Sequence, residues 1–197
     1  MSKSNRSILL NNDIDYESVE KIINDIIEIN SDDDLKEDQW FESMDSTILH
    51  NEIIYHREPI KLYINSYGGD VYSGLALVNI IKNSKTPIYT IAIGACMSAA
   101  LQIWLAGHKR FVSKNSTLLF HDISSGGCTC KTEDIRQNLK ECERLREIFI
   151  GEIIEKSTKV TREMLDEVIK SRTDWYIPAD EAIELGLANH YYTREDQ

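Results

Sequence analysis

The chain has 197 residues, 42% of them hydrophobic, the size and apolar content of one globular domain spanning residues 1–197. With 33 acidic against 22 basic residues its net charge is -11, the wrong sign for a phosphate-backbone binder, and no Lys/Arg block relieves it, which argues against nucleic acid as a partner. No apolar stretch reaches the ~20 residues of a membrane span and "MSKSNRSILLNND" lacks a signal-peptide core, so the chain reads as soluble and cytoplasmic with no membrane partner.

Ser7 to Leu10 is a strand candidate, followed by a helix in "YESVEKIINDIIEIN", where Val19, Ile22, Ile23, Ile26 and Ile27 fall at helical spacing. The next segment, "SDDDLKEDQWFESMDS" (31–46), is acidic and non-periodic. It reads as an inserted loop with a solvated, charged face. Beyond it "IKLYIN" is a continuous apolar strand, "SYGGD" a turn, and Val71, Leu75, Val78 and Ile81 mark a helix face. "PIYTIAI" is a second buried strand, and "RFVS" and "TLLFH" are further ones. Thr132 to Lys156 is a long helix, and the chain closes with the helix "TREMLDEVIK", the strand "WYIP", a short helix from Ala179 and a stop at Gly186. Near-continuous apolar strands alternating with helices predict an α/β fold on a parallel sheet covered on both faces.

In such a sheet, functional sites gather where strands run into helices. Three points qualify: Gly68 and Gly69 after the first core strand, "GACMS" after the second, and His121 at the end of "TLLF". Ser98 would open a helix, where free N–H groups and the helix dipole favour developing negative charge. Its ordinary reading is a helix cap. Its functional reading is a nucleophile, with Ala99 and the glycine turn offering N–H groups to an oxyanion. A histidine taking the serine proton needs a carboxylate to orient its other nitrogen. Asp122 is adjacent but should face away on an alternating strand. Asp70 flanks the glycine turn and Asp174 lies in a later loop, and periodicity does not choose between them. Four cysteines (Cys96, Cys128, Cys130 and Cys142) include the "CTC" at 128–130, but no second Cys or His pair has zinc-site spacing, so neither a metal nor a cofactor is expected.

Taken together these motifs resemble the ClpP family of serine peptidase subunits. "YINSYGGDV" is similar to that family's Y-I-N-S-P-G-G, with Tyr67 in place of its proline. "IGACMSAALQIWLAGHKRFVSKNSTLLFHD" is similar to its serine motif, K-R-F turn and histidine strand, and "RTDWYIPADEAIELGLAN" to its C-terminal R-D-x-F…E-A…G-L segment. The resemblance implies Ser98 as nucleophile, His121 as base and then acid, Asp174 as orienting carboxylate, and Gly69 and Ala99 as oxyanion donors. It implies the ClpP/crotonase-like fold of repeated ββα units, with a projecting helix-strand handle at 123–156. It also implies a homo-oligomer, a tetradecamer of two heptameric rings, taking peptides or unfolded protein. Only "MSKSNR" precedes "SILL", shorter than the family's axial loops, which leaves coupling to an AAA+ unfoldase open. Thr173 stands where the family has an arginine, Met97 and Ala99 exchange its usual order around the serine, and the divergent ends resemble ClpP-like proteins of bacteriophages. Two other functions remain beside the peptidase: a non-catalytic ring subunit, and a crotonase-fold enzyme acting on an acyl-CoA carbonyl.

The handle reading adds an expectation about assembly. At ~1.5 Å per residue, a helix over 132–156 spans about 35 Å and should project. Leu139, Leu145, Ile148, Phe149 and Ile153 then need cover from a partner subunit, and Gly126 and Gly127 are where the chain passes a neighbouring handle.

Overall fold

The first strand, β1 (Ser7–Leu10), lies parallel to β2 (Ile60–Ser66), although the helix α1 (Tyr16–Glu42) intervenes between them. The structure, a computed structural model, describes residues 6–43, 54–124 and 131–196. β2 leads through Gly68 and Gly69 into α2 (Val71–Lys82), then β3 (Ile88–Met97) and α3 (Ala99–Leu105). β4 (Lys109–Val112), β5 (Thr117–Phe120), α4 (Thr132–Lys156), α5 (Arg162–Ser171), β6 (Trp175–Pro178), α6 (Ala179–Glu184) and β7 (His190–Tyr191) complete the order. The parallel path β1-β2-β3-β4-β7 is the α/β sheet that the apolar strands predicted. β5 departs from it, pairing parallel with β3 and antiparallel with β6.

That departure is created inside β3. Tyr89 to Ala92 pair with β4, whereas Ala95 to Met97 pair with β5. On the other side the register with β2 slips, from Ile64 opposite Ala92 to Ser66 opposite Cys96. Asn65 fills the slip: its Oδ1 accepts from Ala95 N at 2.9 Å and its Nδ2 donates to Asn11 Oδ1 at 2.7 Å. β3 therefore ends between two sheet directions, and Ser98 sits at that corner. α3 leads directly inward from there, with all seven of its residues buried.

The expected loop over 31–46 is corrected. α1 begins on a capping box, with Ser18 N donating to Asp15 Oδ1 at 2.8 Å and Asp15 N to Ser18 Oγ at 3.1 Å, and it runs unbroken to Glu42. Its buried stripe is Val19, Ile22, Ile26, Ile29 and Asp33, so helical spacing continues after the aliphatic residues stop. Asp33 is 1% exposed. It accepts from both Arg6 nitrogens and, at 2.7 Å, from Thr86 Oγ1. One turn outward, Arg57 pairs with Asp34 and Glu37, and Lys85 Nζ reaches Asp34 at 3.1 Å. The acidic run is an ion-paired helix, and residues 44–46 of the segment lie outside the described residues.

Two further expectations change. The buried face of α2 is Gly74, Leu77, Val78 and Ile81, with Leu75 only half-buried. In α4, Leu145, Phe149, Ile150 and Ile153 are covered by this chain itself, with the Phe149 ring 5.3 Å from Phe120, so they need no partner subunit. Only the amino-terminal part, residues 132–140, is exposed throughout, including Ile135 at 55% and Leu139 at 54%. Gly126, Gly127, Cys128 and Cys130 lie outside the described residues.

Burial opposes ionisation of Asp33, but the Arg6 and Thr86 hydrogen bonds outweigh it and hold the carboxyl below the ordinary carboxylate range. A lowered pKa contributes stability that is complete above the unfolded value and is lost as pH falls through the folded one. Asp33→Asn is expected to cost about 2 kcal/mol in urea denaturation at pH 7, because it removes the buried charge that Arg6 and Thr86 bond and leaves the Arg6 guanidinium with Glu58 alone. The gap from wild type should narrow once pH falls below about 4.

Candidate active site

Ser98 occupies the N-cap of α3, yet it does not cap. Its backbone sits at φ 54, ψ -124, and its side chain makes no bond to the helix. A capping serine is extended and its oxygen accepts from the first turn. Among the described residues only Arg172 shares a positive φ without being glycine. The strained conformation is clamped from both directions. Ser98 N donates to Leu119 O of β5 at 3.0 Å, and Ser98 O accepts from Leu101 N of α3 at 3.0 Å. Among the described residues Oγ has no hydrogen-bond partner, so the hydroxyl is free to react.

The glycine turn lies directly against this corner. Gly68 has φ 103, and a Cβ there would sit 2.8 Å from both Met97 O and Ser98 Cβ. Gly69 has φ 149, and a Cβ there would meet Ile14 O at 2.2 Å. Ile14 holds the turn through Ile14 N to Gly68 O at 2.8 Å and Asp70 N to Ile14 O at 2.7 Å. Those two bonds bypass Gly69 N. Among the described residues neither Gly69 N–H nor Ala99 N–H meets a backbone carbonyl. Both are preformed donors beside the serine, the arrangement an oxyanion requires.

His121 follows the last residue of β5 and lines the same cavity, of about 40 Å³, as Gly69, Ser98 and Ala99. Its Nδ1 lies 2.5 Å from the carbonyl oxygen of Asp122. A carbonyl only accepts, so Nδ1 carries the proton and Nε2 keeps the lone pair that a general base needs. The Asp122 carboxylate is engaged elsewhere: Arg146 of α4 donates to its two oxygens at 2.7 and 2.8 Å, and Ile123 N donates at 2.7 Å. That hydrogen-bonded pair, against a smaller effect of burial, raises the Arg146 pKa. The expectation that Asp122 faces away from His121 is not met: both residues lie beyond the end of β5, where strand alternation no longer applies, and both line the same cavity, although the Asp122 carboxylate is tied to α4.

The other two aspartates separate. Asp70 caps α2, accepting from Ser73 N and Ser73 Oγ at 2.7 Å each. Asp174 is exposed and precedes β6 by one residue. Phe120 pairs with Trp175 in the antiparallel register, and the ladder ends there, one residue short of His121 on one strand and of Asp174 on the other. Among the described residues the Asp174 carboxylate has no hydrogen bond or ion pair, and it does not line the cavity. The structure thus brings Ser98, His121, Gly69, Ala99 and Asp122 to one cavity and leaves Asp174 outside it. Sequence reasoning passed over Arg146, which no spacing marks, and Gln102, whose signal is one amide in the apolar run "AALQIWLA". A hollow of about 600 Å³ between α5 and β6 shares no residue with this site. Among the described residues no group of three His, Cys, Asp or Glu could hold a metal, and no helix is long and apolar enough to cross a membrane.

Comparison with known proteins addresses the family and the fold. The family model for Clp protease matches residues 34–195. The chain is 36% identical over 136 residues to the ATP-dependent Clp protease proteolytic subunit 2 of Treponema pallidum, covering 68% of this chain and 66% of that protein. It is 32% identical over 184 residues to the corresponding subunit 2 of Treponema denticola, covering 92% and 79%. The proteolytic subunit of Deinococcus radiodurans is 32% identical over 144 residues, covering 71% of this chain and 69% of that one. Among solved structures, a point mutant of ClpP1 from Listeria monocytogenes superposes with a TM-score of 0.74 at 23% identity, covering 98% of this chain and 94% of that one. That likeness shows a shared fold.

Strain at Ser98 has a measurable consequence. Ser98→Gly removes the Cβ that disfavours φ 54, whereas Ser98→Ala keeps it. The glycine variant is expected to be about 1 kcal/mol more stable than the alanine variant in chemical denaturation. Equal stabilities would mean that the corner is unstrained.

Proposed function

The chain belongs to the Clp protease family, and from that premise we propose that it is a serine-type endopeptidase working through an acyl-enzyme. One observation carries the reading: a strained, uncapped Ser98 shares a cavity with a histidine whose free nitrogen is Nε2 and with two vacant N–H donors. In this mechanism His121 Nε2 takes the Oγ proton as Ser98 attacks the peptide carbonyl. The carbonyl oxygen gains negative charge and accepts from Gly69 N–H and Ala99 N–H. His121 then gives its proton to the departing amine, leaving an ester on Ser98. Water, deprotonated by the same nitrogen, releases the acid.

The imidazolium formed in these steps needs a negative neighbour. The Asp122 carbonyl fixes the tautomer but brings only a dipole. Asp174, one residue beyond the end of the same ladder, brings a full charge, and rotation of His121 Nδ1 from the carbonyl to that carboxylate would complete the triad. The substrates are peptides or unfolded chains. The exposed amino-terminal half of α4, carrying Ile135 and Leu139, is the face on which copies would stack as two heptameric rings. An AAA+ unfoldase feeding that chamber belongs to the same reading. A second reading, a non-catalytic ring subunit, is favoured by one fact: Asp174 makes no bond to His121 in the single chain.

Turnover of a small fluorogenic peptide separates the two readings. The endopeptidase is expected to cleave it, and Ser98→Ala to lose nearly all of that activity. Asp174→Asn should lose about 10⁴-fold in kcat, while Asp122→Asn, which only loosens the tie to Arg146, should lose about tenfold or less. No cleavage by wild type would establish the non-catalytic subunit. The reverse ranking of the aspartates would make Asp122 the orienting group.

A further inference from the structure

α3 is buried along its whole length, and six of its seven residues are apolar. The exception is Gln102, which is 2% exposed. Its Nε2 is buried and, among the described residues, has no hydrogen-bond partner. An amide left unpaired in this way is destabilising, and replacement by an apolar residue of the same shape would remove the cost. Gln102 stands one turn after Ser98, on the same face of the helix, and lines the same cavity as Ser98, His121 and Phe149. The side chain that carries the orphan donor is therefore one of those lining the space next to the reacting hydroxyl.

We propose that Gln102 is a specificity-determining residue: Nε2 donates to an acceptor at the end of the substrate side chain that precedes the scissile bond. This rests on the endopeptidase reading. The carbonyl carbon attacked by Ser98 belongs to the residue whose side chain enters beside the serine. Gln102 and Phe149 both line the cavity that this side chain would enter. Asparagine and leucine have nearly the same shape, and only asparagine offers an acceptor. Leucine would bury Nε2 without a partner and also exclude the water that could otherwise serve it. A site built to hydrogen-bond its substrate rejects the analogue lacking that group far more strongly than an apolar pocket rejects a small change in size.

The test uses two fluorogenic peptides that are identical except for asparagine or leucine before the cleaved bond. Wild type is expected to show a kcat/KM at least about tenfold higher for asparagine. Gln102→Leu should reverse the order by losing the asparagine substrate while keeping or gaining the leucine one, which also shows that the variant is folded. Cleavage of both peptides by wild type with leucine equal or better would overturn the assignment and leave the peptidase standing, whatever the variant does. An unchanged ratio in an active Gln102→Leu would also overturn it. Failure of wild type to cleave either peptide would overturn the peptidase reading itself.

Discussion

The backbone at Ser98 is the constraint on which the rest of the site depends. A serine at φ 54 is disfavoured by its own Cβ, and it persists here because three elements fix its position at once. β5 holds its N–H, α3 holds its carbonyl, and the Gly68 turn packs against its Cβ with no room for another atom. The slip in β3 around Asn65 is what turns the strand end towards β5. Burial of α3 then anchors the helix whose first N–H faces the site. The strain is confined to one residue and balanced by the core behind it, which leaves the hydroxyl without a structural duty.

Charge is distributed around this corner with the same economy. The two acidic residues nearest the histidine in sequence and in sheet register have different tasks. Asp122 lends its carbonyl to His121 and its carboxylate to Arg146, tying the segment after β5 to α4. Asp174 is left without a fold-level partner among the described residues. A carboxylate that the fold does not use is free for an electrostatic role rather than a structural one. The same distinction holds far from the site, where Asp33 is wholly engaged by Arg6 and Thr86 and serves only to lock α1 to the sheet.

Much of this was legible in the sequence where local chemistry and tertiary structure agree. The bounds of α4 and of the strand "WYIP" match the helical and apolar patterns residue for residue, and the positions of Ser98, His121, Gly69 and Ala99 follow from strand-to-helix junctions. What was hidden depended on long-range partners. The continuation of α1 could not be read from hydropathy because its stripe changes from isoleucine to aspartate, and the arginines that neutralise it are distant in sequence. The failure of Ser98 to cap was hidden because a dihedral angle leaves no compositional trace. Leu145, Phe149 and Ile153 looked in need of a partner because a helix periodicity does not say which neighbour covers it.

The central claim is that this geometry makes one hydroxyl in the chain a nucleophile. Reaction of the wild-type protein with a fluorophosphonate, followed by peptide mass spectrometry, tests it most directly. The account predicts a single adduct on Ser98 that fails to form after denaturation, because reactivity comes from the folded corner and its histidine. An adduct on another residue, or equal labelling of Ser98 in the unfolded chain, would contradict it.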